Sequence, residues 1–257
     1  MPRHDARVTE PDLKDGLIRL EDLITADLHK HIDPTNRAAV IGWGLFFNVA
    51  EQVRGILTLH QAGACGAASP NRRSALEYAI TLRWCVDQGD RIGDIYNRKL
   101  GNDQIQLAKA LKADGTKDRY KDAYEVMAQT VKTVKETIAA DPNERLAKIE
   151  HLMQGYGLTK ERTFYQVDSW FAHPTLTGAQ MFFKDDGTNF HVSQTPIHEE
   201  LVACHLFCLW IFHIAMLAFN EVLTDKPWTT ELEQVAKEYG FATTLPQWQE
   251  TEGLKKQ

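Results

Sequence analysis

Apolar residues recur along most of the chain at spacings of three and four, the period of an amphipathic helix. Leu13, Leu17, Leu20, Ile24 and Leu28 form one such stripe, with Thr9 as a cap and Pro11 in the first turn. Pro34 breaks the pattern between His31 and Asn36. A second helix is predicted over about 37–61, with Phe46, Val49, Val53, Ile56 and Leu57 inward. After the small-residue turn AGACGAASP, Ser69 reads as a cap and Pro70 as the first helical residue. The third helix then runs to about Leu100.

Between 102 and 140 the pattern is more polar, yet Tyr120, Tyr124, Met127, Val131, Val134 and Ile138 keep a helical face. Asp114–Gly115 divides this arm into two helices. DPNE at 141–144 is a start signal, with Asp141 as cap and Glu144 at the third position. That helix carries Leu146, Ile149 and Leu152 and stops near Gly155 or Gly157; another begins around Thr159. The irregular region spans about 175–195, where MFFKDDGTNFHVS suits a short hairpin turning at Asp186–Gly187. Thr195–Pro196 opens the most apolar helix. Thr230 with Glu233 forms a last capping box, and Gly240 closes that helix. Alternating strand–helix units are absent, as are GxGxxG and GxxxxGK. The expectation is an all-α bundle of about seven to nine helices, with an irregular or short hairpin segment near 177–194. It is read as one domain over 1–257, with 102–158 as a protruding helical arm and 241–257 as a loosely attached tail.

Composition narrows this picture only a little. Apolar residues are 43% and charged residues 25% of 257, as in ordinary globular proteins. A net charge of -6 argues against a broadly basic nucleic-acid surface, while leaving room for a local patch. Cys65, Cys85, Cys204 and Cys208 form no CxxC pair, so the chain reads as a reduced, cytoplasmic protein. The opening MPRHDARVTEPDLKDG lacks the apolar core of a signal peptide. Residues 201–219, LVACHLFCLWIFHIAMLAF, carry no Asp, Glu, Lys or Arg over 19 positions, close to the length of a membrane span. Glu199, Glu200 and Glu221 flank the run without a basic cluster, and His205 and His213 interrupt it. A central helix buried on all sides is therefore favoured over a span. His198, Cys204, His205 and Cys208 recur at helical intervals, but in this apolar setting they read as packing. No metal or cofactor is predicted.

Two polar constellations stand out. In SPNRRSALEYAITLRW, Arg73 and Glu77 lie four apart and can pair on one helix face, beside Leu76, Ile80 and Trp84. In FYQVDSWFAHPT, Tyr165, Ser169 and His173 recur every fourth residue, and Pro174 disfavours helix at His173. His173 then sits at the helix end beside the irregular loop. There it either caps the last carbonyls or faces a pocket as a proton carrier. Ser169 with His173 resembles a nucleophile and base, but no GxSxG elbow accompanies them. His191 and His198, with Glu199, border the irregular loop and are candidate substrate contacts, as is Tyr165.

The RSALE block at 73–77 and YQVDSWFAHPT at 165–175 together resemble the two signature blocks of a family of uncharacterised bacterial all-helical proteins. That family shows Arg-x-x-x-Glu and Tyr-x-x-x-Ser-x-x-x-His, and the resemblance covers roughly 45–223. It implies that Arg73 and Glu77 face Ser169 and His173 in one site. A looser resemblance is to HEPN helical domains (higher eukaryotes and prokaryotes nucleotide-binding). Many of these are RNases using an Arg and a His on one helix. RGILTLH supplies Arg54 and His60, six positions and about 240° apart, with Gly55 where that family places a polar residue. The resemblance implies an alternative catalytic pair, Arg54 and His60, doubled across a homodimer and acting on RNA.

Three functions follow as expectations. The first is an RNase or nucleic-acid-directed factor of a defence or toxin system, working without a metal through His173 and Arg73. The second is a non-enzymatic ligand-binding or regulatory bundle. The third is a small-molecule hydrolase using His173. An RNA-directed site should open Arg37, Arg54, Arg72, Arg73 or Arg83 onto a positive groove. Burial of Arg73 and His173 without a cavity would remove both enzyme readings.

Overall fold

In the computed structural model, residues 10–113, 119–137, 148–185, 187–193, 201–245 and 247–248 are described. Their α-helices are α1 (Glu10–Asp22), α2 (Arg37–Gln61), α3 (Ser69–Gln88), α4 (Ile92–Ala113), α5 (Lys121–Thr137), α6 (Ile149–Gly155), α7 (Glu161–Ala172), α8 (Leu176–Ala179), α9 (Leu201–Asn220) and α10 (Thr229–Tyr239). All but α6 and α8 exceed ten residues. The fold is the expected all-α bundle. The irregular segment contains a small antiparallel hairpin, β1 (Phe183–Asp185) with β2 (Phe190–Val192), in which Lys184 faces His191 in register. Gly187, at φ 84°, lies in its turn, a left-handed conformation that glycine adopts without steric cost.

The core is built where the apolar stripes converge. Leu13, Leu17 and Leu20 of α1 are fully or nearly fully buried, as are Phe46, Val49, Val53 and Ile56 of α2. Each such side chain contributes roughly 1.5–3 kcal/mol of burial free energy. Phe46 stacks on Phe219 of α9, with ring centroids 4.8 Å apart. α9 is the centre of the bundle, packed by α1, α2, α3 and α10. Cys208, Leu209, Ile211, Ala215, Met216, Ala218 and Phe219 have no exposed surface, so the helix is apolar because protein surrounds it. No helix among the described residues is long and apolar enough to cross a membrane. His213 sits in this apolar helix because its Nε2 donates to the Leu232 carbonyl of α10 at 3.0 Å.

Several local expectations are corrected. The third helix does not reach Leu100. It stops at Gln88, where Gly89 takes φ 55°, and a short 3-10 turn over 89–91 redirects the chain into α4. Leu28 belongs to a separate 3-10 turn, beyond the end of α1. Ser69 is the first residue of α3 rather than its cap, because its hydroxyl accepts from Arg72 Nη2 at 2.7 Å. The Thr230–Glu233 box does not form. α10 begins at Thr229, and Asn220 organises the turn by accepting from the Trp228 amide and donating to the Thr229 hydroxyl. Gly240, at φ 71°, ends α10 as expected. Thr9, Asp114–Gly115, Asp141–Glu144 and Thr195–Pro196 lie outside the described residues.

In the segment read as a tail, Phe241 is buried and Trp248 packs on α6. The Trp248 ring meets Tyr156 edge-on at 5.2 Å and lies directly over Gly155, where a Cβ would fall 2.3 Å from the indole. Gly155→Ala should therefore displace Trp248, read as a red-shifted tryptophan emission and earlier proteolysis of the C-terminal segment.

Burial lowers the His213 pKa, with the Leu232 carbonyl partly opposing it. The unfolded chain thus binds the proton more readily than the folded one. Stability from this group is present at neutral pH and declines as pH falls below the ordinary histidine value of about 6.5. The thermal midpoint should drop between pH 7 and pH 5.5, and His213→Gln should show a smaller drop.

Candidate functional site

The α6–α7 segment runs antiparallel to α3 and is fastened to it by three polar clusters. Nearest the start of α3, Arg72 reaches Asp168 of α7, with Nη2–Oδ1 at 2.7 Å and Nε–Oδ1 at 3.1 Å. The two side chains are only 9% and 7% exposed, so this is a buried ion pair. Burial pushes the Asp168 carboxyl up, against the lowering by the Arg72 guanidinium and Ser69. The next cluster joins Arg73 and Glu77 to Tyr165. Arg73 Nε donates to Glu77 Oε1 at 3.0 Å, Arg73 Nη2 donates to the Tyr165 hydroxyl at 3.0 Å, and that hydroxyl donates to Glu77 Oε1 at 2.8 Å. Burial, followed by Glu77, pushes the Tyr165 phenol up to about 12, so it stays protonated as the donor. The third cluster repeats this chemistry farther along. Arg83 pairs with Asp87 at 2.8 Å, and the Tyr156 hydroxyl donates to Asp87 at 2.6 Å.

The two Arg–acid–Tyr clusters differ in what stands beside them. His173 completes the first, with Nε2 2.9 Å from Arg73 Nη1. A guanidinium only donates, so Nε2 is the acceptor here and the imidazole proton rests on Nδ1. Pro174 acts as the spacing predicts. His173 takes extended geometry (φ −111°, ψ 156°) immediately after α7, while its amide still closes the last turn onto Ser169. The ring does not cap the helix carbonyls; it turns to Arg73. His173 is exposed and Arg73 half-buried, so the cluster opens to solvent. The second cluster instead borders a small crevice lined by Ala79, Ile80, Arg83, Tyr156, Leu158, Ile214 and Leu245.

Of the residues singled out in the sequence, Arg73, Glu77, Tyr165 and His173 meet. Ser169 does not join their hydrogen bonds. Its hydroxyl donates to the Tyr165 carbonyl one turn back, at 2.6 Å, and the hydrogen that a base would remove is committed there. His191 lies exposed on β2, and His198 lies outside the described residues. Arg54 and His60 turn to different partners. Arg54 pairs with Glu21 and Glu51, while His60 Nδ1 lies 3.4 Å from His205 Nε2 of α9. The five arginines expected to open onto a groove each meet a carboxylate: Arg37–Asp94, Arg54–Glu21, Arg72–Asp168, Arg73–Glu77 and Arg83–Asp87. No three metal-ligating side chains gather among the described residues.

Sequence reasoning missed Asp168 and the role of Arg72. The signal was present. Glu161, Tyr165 and Asp168 stand at i, i+4 and i+7 and form the buried face of α7. Following the strict four-residue series instead led to Ser169, which drifts about 40° per step.

Asp168→Ala should lower stability by about 3–5 kcal/mol, because it strands the Arg72 charge in a buried position. Tyr165→Phe should cost only about 1 kcal/mol, since Arg73 and Glu77 still pair directly. Urea denaturation checks both.

No curated protein and no solved structure matches this chain. A family model does match, over residues 39–190, a span holding α3, α7 and β1 and ending at the first residue of β2, before α9. The chain belongs to this family of unknown function, DUF5677.

Proposed function

We propose that the Arg73–Glu77–Tyr165–His173 cluster is an acid–base site directed at a phosphodiester, with RNA as the substrate class. The observation that carries this reading is the 2.9 Å contact between Arg73 Nη1 and His173 Nε2 at an exposed helix end. A phosphate oxygen entering between them takes the arginine N–H and leaves the imidazole lone pair available. Nε2 then accepts the proton of a ribose 2′-hydroxyl as its oxygen bonds to phosphorus. The P–O5′ bond breaks, and the departing oxygen takes a proton from water. Glu77 and Tyr165 hold the guanidinium in place, and no metal ligand is required. The open position of His173 suits a strand better than a small molecule, which is ordinarily enclosed. The resemblance to HEPN domains supports the substrate class but not the pair Arg54 and His60, whose side chains point to separate partners.

A second reading, a non-enzymatic regulatory bundle, is favoured by the copy at Arg83–Asp87–Tyr156. There an Arg–acid–Tyr cluster fastens the end of α6 to α3 beside an apolar crevice. His173→Ala separates the two. An RNase site loses at least about 100-fold in cleavage of a fluorogenic RNA, with stability changed by under about 0.5 kcal/mol because the side chain is exposed. No cleavage by the unsubstituted protein, or equal cleavage by the variant, would leave the regulatory reading.

Because all five arginines are matched by carboxylates, binding should engage about one phosphate rather than a groove. Affinity for a non-cleavable RNA should then fall with salt at a log–log slope of about −1, against about −4 or steeper for six or more phosphates. Fluorescence anisotropy between about 50 and 300 mM salt, over which the Debye length falls from roughly 14 to 6 Å, checks this.

A further inference from the structure

Arg73 is closed on one edge. Its Nε donates to Glu77 Oε1 at 3.0 Å and its Nη2 to the Tyr165 hydroxyl at 3.0 Å, and that hydroxyl donates to the same Glu77 oxygen at 2.8 Å. The acid and the phenol thus occupy the side that carries Nε. The edge of the two terminal nitrogens, with Nη1 toward exposed His173, is the one left to a ligand. A guanidinium edge pairs with two oxygens at once. The two non-bridging oxygens of a phosphodiester satisfy that edge. A terminal phosphate brings a third oxygen and a second charge, and the adjacent Arg72 is buried against Asp168.

The charges of the cluster lead the same way. Arg73 is the one cation among Arg73, Glu77, Tyr165 and His173, and Glu77 bonds it directly. Tyr165 stays a neutral phenol, pushed up to about 12 by burial and then by Glu77. His173 accepts the guanidinium N–H through Nε2 and is neutral in this contact. Glu77 takes both of its bonds on Oε1. Its Oε2 accepts none from the described residues, and the side chain is 37% exposed. A phosphate on the terminal edge of Arg73 therefore stands across one planar group from a carboxylate that solvent reaches. We infer that Glu77 sets the charge of the ligand: the site takes the singly charged phosphodiester inside a strand and turns away the doubly charged monoester of a strand end or free nucleotide. Repulsion by Glu77 is twice as large for a dianion as for a monoanion. At a separation of a few ångströms, the second charge changes affinity by about fivefold or more. The inference rests on the phosphate reading of Arg73–His173.

The experiment uses the full chain at about pH 8, where a phosphomonoester carries close to two charges. Three probes share one nucleoside. They are adenosine 5′-monophosphate, its methyl ester (a phosphodiester with one charge) and adenosine 5′-phosphoramidate, which keeps the shape of the monoester but has one charge. Binding is read from the NMR shift of the Arg73 Nε–H during titration. The proteins are the unsubstituted chain and Glu77→Gln, whose side-chain carbonyl still accepts from Arg73 and Tyr165. The methyl ester and the phosphoramidate should each bind about fivefold or more tightly than the monophosphate. Glu77→Gln should remove that difference by strengthening the monophosphate. Monophosphate binding as tight as that of the methyl ester would overturn the role of Glu77 and leave the phosphate site standing. So would a preference that persists in Glu77→Gln. A phosphoramidate that binds no better than the monophosphate does the same, and this comparison needs only the unsubstituted chain. If none of the three probes moves the Arg73 resonance, the phosphate reading fails and this inference with it.

Discussion

Arg72 and Asp168 meet where little water reaches either, and the placement of α7 depends on that meeting. A buried charge without its partner costs several kcal/mol, so α7 can dock on α3 only in the register that joins the two. Everything at the candidate site follows from this register. Arg73 is the next residue on α3, about 100° around the helix, and is thereby aimed past the buried pair toward Tyr165 and His173. The paired arginines of RRSALE thus divide the work. One is sealed between helices, and the other is left at the edge, where a ligand can reach it.

The repeated Arg–acid–Tyr cluster is an internal comparison that helps to separate packing from chemistry. At Arg83, Asp87 and Tyr156 the arrangement closes a helix contact beside an apolar crevice, and Trp248 meets the Tyr156 ring. At Arg73, Glu77 and Tyr165 the Arg–acid and Tyr–acid bonds recur, with a further Arg73–Tyr165 hydrogen bond, and an exposed imidazole stands beside them. Proline supplies the difference. His173 can leave the helix axis and face Arg73 because Pro174 withholds helical geometry from it. The matched charges constrain function as well. A protein whose prominent arginines are all paired gains little from long-range attraction to a polyanion.

The central helix shows how an almost wholly apolar sequence serves two structural possibilities. Its length approaches that of a membrane span, yet the neighbouring helices bring enough apolar surface to enclose it. His213 is accommodated because the Leu232 carbonyl is within reach. Gly155 gives an analogous accommodation on the periphery, where the missing side chain lets Trp248 lie against α6 and tie the C-terminal segment to the bundle.

The helical class, the second helix over Arg37–Gln61, the hairpin and the placement of His173 were all legible in the sequence. Each depends on interactions within a few residues: apolar periodicity, a turn glycine and a proline that forbids helix before it. The paired blocks of the family implied that Arg73 and Glu77 face Ser169 and His173, since nothing local relates residues a hundred positions apart; Tyr165 takes the place expected of Ser169. The selection of Asp168 over Ser169, the division of roles between Arg72 and Arg73, and the separation of Arg54 from His60 were decided only by tertiary structure. Each turns on which side of a helix faces a neighbour. A difference of one position rotates a side chain by about 100°, and only the packing partner determines which rotation is buried.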